Sequence, residues 1–404
     1  MAENKDKKVL NVPHLRFPEF TGEWKKYRLD EMGESFIGLT YSPKDVVENE
    51  GTIVFRSSNI QNGQIDYSDI VRVSKTIKER IITRENDLLI CARNGSPRLI
   101  GKNALIKKTD ANNTFGAFMM VYRSIDNDFI HPLLSTRRYV SQVGENLGAR
   151  INQITTSDLN SFEFFFPKDD GEKRKIGKLF DLLNERIATQ NKIIEDLQSL
   201  ISGIIQNAIQ KGLNDNTWEM IYLSKLLTER KEKNSNGYEV NSVSVSEGVI
   251  NQIEYLGRSF AASDTSKYNV VRYGDIVYTK SPTGNFPYGI IKQSFQKHPV
   301  AVSPLYGVYE PCSNEAGCFL HYYFLSSIVT TNYLSPLIQK GAKNTINISN
   351  LTFLNNMVPY PKEEVGIRPI AALLRNVQIK LNIERLSLVL LEQQKTYLLR
   401  SMFI

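Results

Sequence analysis

Two stretches of this chain repeat each other about 194 residues apart, and no other feature of it constrains the fold as strongly. Trp24-Lys25-Lys26-Tyr27-Arg28-Leu29 opens one half, and Trp218-Glu219-Met220-Ile221-Tyr222-Leu223 opens the other. Later, Asn152-Gln153-Ile154-Thr155-Thr156-Ser157-Asp158-Leu159 runs in step with Asn344-Thr345-Ile346-Asn347-Ile348-Ser349-Asn350-Leu351, each leading to a proline, Pro167 or Pro359. A segment of helical periodicity then closes each half. A duplicated unit of globular domain plus long helix predicts a pseudo-twofold molecule that reads two similar things at once.

The closing segments carry heptads. With Ile176 at a, the a residues are Ile176, Leu183, Gln190, Leu197 and Ile204, and the d residues are Phe180, Ile187, Ile194, Ile201 and Ala208. Only Gln190 is polar. The second seam has Ile370, Val377, Glu384, Leu391 and Leu398 at a, with Leu374, Leu381, Leu388, Lys395 and Met402 at d, and its polar a position recurs at the same place. Alternating 4,3 spacing keeps an apolar face on an under-wound helix, as a coiled coil requires. The first seam rises roughly 50 Å, about three times an ordinary domain helix. The duplication favours pairing the two helices antiparallel, with Gln190 and Glu384 near the midpoint.

Apolar runs at 53–55, 88–92, 103–106, 118–122 and 162–166, and again at 242–245, 276–279, 289–292, 305–309 and 355–359, read as short strands. Helices are expected over 128–143 and 318–331, so each domain reads as α+β with a mixed sheet. Residues 211–216, carrying Gly212, read as a hinge.

Globular domain, long helix, globular domain, long helix, with Asn-x-Ile-x-x-Ser-Asp/Asn-Leu before each helix, resembles the DNA-specificity subunit of type I restriction-modification systems. Pro13-His14-Leu15-Arg16-Phe17-Pro18-Glu19-Phe20-Thr21-Gly22-Glu23-Trp24 looks like the N-terminal segment of many bacterial members. The resemblance implies target recognition domains at 1–168 and 211–362 and spacer helices at 169–210 and 363–404. Each domain would read one half of a bipartite, asymmetric double-stranded site. The helices would set the half-site distance and dock two methyltransferase subunits, and through them the ATP-driven restriction subunits. S-adenosylmethionine, ATP and Mg²⁺ are then expected in the partners, with no cofactor or metal here. Many members start each helix with Glu-Gln, where this chain has Glu172-Lys173 and Gly366-Ile367.

Composition fits this reading. The 404 residues suffice for two domains with their own cores, and a net charge of +7 is compatible with nucleic acid. Residues 1–8 are polar, without a stretch fit for a signal or membrane span, which points to a cytoplasmic address and no membrane partner. Three cysteines, Cys91, Cys312 and Cys318, are unlike a disulfide framework. Cys312, Cys318 and His321 lack the fourth ligand that structural zinc wants.

The candidate DNA contacts lie in two loops after apolar strands that follow Asp87 and Asp275: Arg93, Asn94, Ser96 and Arg98 in one, Lys280, Ser281, Thr283 and Asn285 in the other. Arginine suits guanine and asparagine adenine, while lysine and serine more often hold the backbone. Arg56 and Asn59 are further candidates, with Arg150 and Lys343 beside the repeated segments. Catalytic signatures are missing. Asn285-Phe286-Pro287-Tyr288 has Phe where the amino-methyltransferase loop wants Pro, and Asp215 with Glu229-Arg230-Lys231 is too short a nuclease pattern to stand above chance. The expectation is a non-catalytic reader of DNA. The alternative is a coiled-coil scaffold binding protein or RNA through its globular ends.

Overall fold

Both heptad segments are helical in the computed structural model, which describes residues 10–149, 152–258, 261–340 and 346–404. The chain divides into two units: residues up to Gln190 together with Ser387–Ile404, and Asn191–Leu386.

In the first unit, Lys25–Arg28 pairs antiparallel with Glu163–Phe166, Lys25 facing Phe166. A four-stranded antiparallel sheet follows, in the order Glu34–Ile37, Met119–Arg123, Leu88–Cys91, Asn103–Leu105. The Leu88–Cys91 strand is buried throughout because both faces are covered. Leu88 and Ile90 join a core with Trp24, Tyr122, Phe129, Phe166 and Phe180, while Leu89 and Cys91 point the other way into a core with Val54, Phe55 and Phe115. The second core lies under a mixed sheet in which Thr114–Phe115 runs parallel to Thr52–Phe55. The unit's helices are α1 (Asn127–Leu133), α2 (Arg137–Ala149), α3 (Thr156–Ser161) and the start of α4 (Asp170–Asn214). The single helix expected over 128–143 is two. Thr136 Oγ1 donates to the Leu133 carbonyl at 2.7 Å between them and closes the first.

The second unit repeats this plan. Trp218–Tyr222 pairs with Met357–Pro361, and Glu219 faces Tyr360, the Lys25–Phe166 register moved on by about 194 residues. Its four-stranded sheet runs Leu227–Glu229, Gly307–Pro311, Ile276–Tyr278, Ile291–Gln293. Asn269–Val271 pairs with Val300–Val302 and Asn241–Ser244 with Gly248–Asn251. The helices are α5 (Gln252–Leu256), α6 (Asn314–Tyr323), α7 (Ser327–Leu334), α8 (Asn350–Phe353) and α9 (Arg368–Ser401). Here too the helix expected over 318–331 is split, with Ser326 capping α7 by accepting from Val329 N.

Each unit holds one segment of each long helix. In the first, Ile176 and Phe180 of α4 share a core with Leu398, Met402 and Phe403, at the C-terminal end of α9. In the second, Ile201 and Ile205 of α4 share one with Ala371, Leu374, Val377 and Leu381, from the first half of α9. The start of α4 therefore meets the end of α9 in the first unit, and the later part of α4 meets the first half of α9 in the second. All the a and d residues named above are buried or half-buried.

The start of α4 is tied to the N-terminal segment. Arg16 forks onto Glu172 with two bonds of 2.7 Å, and Trp24 Nε1 donates to the same fully buried carboxylate at 3.3 Å. The residues expected to form a hinge at 211–216 are helical as far as Asn214.

Candidate nucleic-acid interface

The same turn opens the central strand of both units. Arg84 N donates to Asp87 Oδ2 at 2.8 Å, and Arg272 N donates to Asp275 Oδ2 at 2.8 Å. An arginine forks onto each buried acid: Arg123 on Asp87 at 2.7 Å twice, Arg230 on Asp275 at 2.7 and 3.0 Å. The two arginines come from different strands. Arg123 ends Met119–Arg123, whereas Arg230 follows Leu227–Glu229, at the place Phe36 takes in the first unit, where its ring lies under Arg123. Burial lifts the Asp275 carboxyl above its usual range, against the pull of Arg230. These aspartates anchor the strands from which the loops leave.

In the first unit the loop is laced to the repeated Asn-x-Ile segment. Asn152, at φ +54°, donates from Nδ2 to the Gly95 carbonyl at 3.1 Å, and Ile154 N donates to the Ala92 carbonyl at 2.9 Å. Asn94 is half-buried, donating to Ser57 Oγ at 2.9 Å and accepting from Ser96 N at 2.9 Å. Arg93 is exposed, forms no ion pair among the described residues, and lies 5.2 Å over the Phe118 ring. Ser96 is exposed as well. A cleft of about 900 Å³ lies between Tyr41, Arg56, Ser57, Arg93, Asn94 and Phe118. Arg56 reaches it half-buried, paired with Asp69 at 2.7 Å. Arg98 borders a different cleft of about 470 Å³, with Lys102, His131 and Lys395. Burial, helped by the Lys395 charge, pulls the His131 imidazole down to about 4.

Asn59 requires a correction. It is fully buried, accepts from Arg56 N and donates to the Asp66 and Asp69 carbonyls, so every polar atom of its amide holds the loop together and none is left for a base.

In the second unit the lysine is similarly committed. Lys280, at φ +58°, donates from Nζ to Asn350 Oδ1 at 2.5 Å, and Asn350 Nδ2 donates to Glu229 Oε1 at 2.6 Å. Burial holds its ammonium below the usual lysine value. Thus Lys280 links its loop to the repeated segment, as Asn152 does in the first unit. Ser281 and Asn285 are exposed, and Thr283 and Phe286 exchange both backbone bonds at 3.0 Å around Gly284. Buried Phe286 pins that turn. Arg150 and Lys343 lie outside the described residues.

Other patterns resolve into packing. His321 Nδ1 accepts from Gln293 N at 3.1 Å, Cys318 is buried against α9, and Glu229 and Arg230 are taken up by Asn350 and Asp275. Among the described residues no group of side chains is arranged to hold a metal ion, and no helix is long and apolar enough to cross a membrane. Sequence reasoning missed Phe118 and Tyr41 as cleft residues. In the sequence Phe118 reads as the first residue of the strand run 118–122, and Gly116 two residues before it is only a weak turn signal.

The class defined by this geometry is a duplicated α+β protein with paired polar loops and two long helices. A model of the type I restriction modification DNA specificity domain matches residues 21–199. The chain is 24% identical over 227 residues to the type I restriction enzyme StySPI specificity subunit of Salmonella potsdam, covering 50% of this chain and 49% of that one. It is 25% identical over 185 residues to the EcoKI specificity subunit of Escherichia coli strain K12, covering 44% and 39%. The alignments thus span about half the length of these relatives or less. A solved type I restriction-modification S subunit from M. genitalium shares the fold over 97% of this chain and 99% of that one, with TM-score 0.61 and 15% identity. Residues 21–199 are thus similar to the type I restriction modification DNA specificity domain, and the fold similarity extends over nearly the whole chain.

Proposed function

We propose that this chain is a non-catalytic specificity subunit that binds a bipartite, asymmetric double-stranded DNA sequence and directs methyltransferase and restriction subunits to it. The observation that carries this is the recurrence, in both units, of an arginine-held aspartate, a buried strand, and a polar loop tied to the repeated segment. Because the loops differ, Arg93-Asn94-Gly95-Ser96 against Ser281-Pro282-Thr283-Gly284-Asn285, the half-sites differ. Chemistry is left to the partners, which bring S-adenosylmethionine, ATP and Mg²⁺. Two methyltransferase subunits need two similar surfaces, and the parts the halves share are the helices and repeated segments. On α9, Ile379, Ile383 and Leu386 stand exposed on one face, which suits such docking.

Selection from random duplex by the full chain with its methyltransferase partner tests the proposal, the expected result being two unlike half-sites around an unspecified spacer. Arg93→Ala should relax the first half-site only, by about 1 to 3 kcal/mol if it contacts a base edge, and Asn285→Ala the second only. Absence of any selected sequence would leave the scaffold reading in its place.

A further inference from the structure

Strand pairing makes Phe118 and Leu305 equivalent. Tyr122 faces Leu88 and Tyr309 faces Ile276, so counting back along each strand brings Phe118 and Leu305 to the same position. Each sits third in a four-residue turn closed by one backbone bond: Met119 N donates to the Gly116 carbonyl at 2.8 Å, and Tyr306 N to the Ser303 carbonyl at 3.0 Å. Phe118 is 60% exposed and Leu305 72%. Turn tips in water are taken mostly by Gly, Asn, Asp and Ser. A single exposed apolar residue needs no explanation, but two at one register of domains whose loops otherwise differ do.

Both turns stand at the end of the sheet from which the candidate loops leave. Ala92 N and Arg93 N both donate to the Phe118 carbonyl at 2.9 Å, and Gly307 pairs with Tyr278, two residues before Lys280. Resting on the reading of this chain as a DNA specificity subunit, we propose that Phe118 and Leu305 each read a thymine through its 5-methyl group in the major groove. Thymine is the base that presents an apolar group there. Stacking between bases fits less well. Arg93 already covers one face of the Phe118 ring at 5.2 Å, and Leu305 has no ring, so apolar contact is the chemistry the two share. Hydrogen-bonding loops and an apolar tip then divide the reading of each half-site.

The test uses the full chain with its methyltransferase partner, first selecting its site from random duplex, then binding that duplex with each thymine in turn replaced by deoxyuridine. One exchange in each half-site should weaken the unaltered protein by about fourfold, the worth of one buried methyl. Phe118→Ala should weaken the thymine duplex to a similar degree, become indifferent to the exchange in the first half-site, and keep its sensitivity in the second. Leu305→Ala should do the reverse. If the unaltered protein selects a sequence but tolerates every exchange, the thymine assignment is overturned while the DNA-reading function stands. If it selects no sequence, both fall.

Discussion

Asn59 and Arg93 show why residue type alone does not assign a role. Both are residues that read bases well, yet Asn59 closes its own loop with three bonds while Arg93 stands in the open over Phe118. Asn59→Ala takes the partner from Arg56 N and from the Asp66 carbonyl, while the Asp69 carbonyl keeps Arg56 Nη2 at 3.1 Å, so it should lower stability by about 1 to 2 kcal/mol and leave the selected half-site unchanged. Denaturant midpoints beside selected sequences would check this, and a relaxed first half-site in a variant of full stability would return Asn59 to the DNA. His131 supplies a pH dependence. Its folded value of about 4 lies below the ordinary 6.5, so the unfolded chain binds the proton more tightly. The stability tied to neutral His131 is present above about pH 6.5 and is lost as pH falls toward 4, roughly 2 kcal/mol being gone at pH 5. His131→Gln should flatten that part of the slope between pH 7 and 5, read from denaturant midpoints at each pH; an unchanged slope would place the titration elsewhere, His321 included.

At the scale of elements, burial decides what the sequence reveals. Leu88–Cys91 and Ile276–Tyr278 announce themselves as apolar runs because both faces are covered. Lys25–Arg28 does not, since its Lys-Lys-Tyr-Arg becomes a strand only through pairing with Glu163–Phe166, a partner distant in sequence. The heptads of α4 and α9 were legible for the same physical reason as the apolar runs, a repeated period over a long span. The loops were located by what precedes them, but which side chains they spend internally depended on contacts such as Lys280 with Asn350 that no local pattern encodes. Gly212 illustrates the reverse error. A glycine near the end of a helical pattern reads as a hinge, yet here it lies inside α4, and a Cβ added there would meet Trp218 Cδ1 at 2.0 Å. In a free helix Gly→Ala stabilises by up to about 1 kcal/mol, but against Trp218 the sign inverts. Gly212→Ala should therefore destabilise the second unit by about 1 to 3 kcal/mol, measured by chemical denaturation. A gain in stability would mean that Trp218 is free to move aside.

For the whole chain, duplication is the organising fact, and it survives in register where sequence has drifted: the edge pairs Lys25–Phe166 and Glu219–Tyr360, the aspartate turns, and the exposed turn residues all recur. If the two helices set the distance between half-sites, as the family resemblance implies, their length is a ruler that can be changed without touching the loops. One heptad inserted after Gln190 and another after Glu384 keeps both apolar seams in phase and lengthens each helix by roughly 10 Å. That is about three base pairs at a rise of roughly 3.4 Å. The half-sites selected from random duplex should then be unchanged and the unspecified spacer between them longer. Affinity should fall as well, because three base pairs turn the duplex by roughly 100°, and groove faces recur only every 10 to 10.5 base pairs or so. Circular dichroism would confirm that the lengthened helices form. An unchanged spacer despite folded, longer helices would show that the distance is measured by something other than α4 and α9.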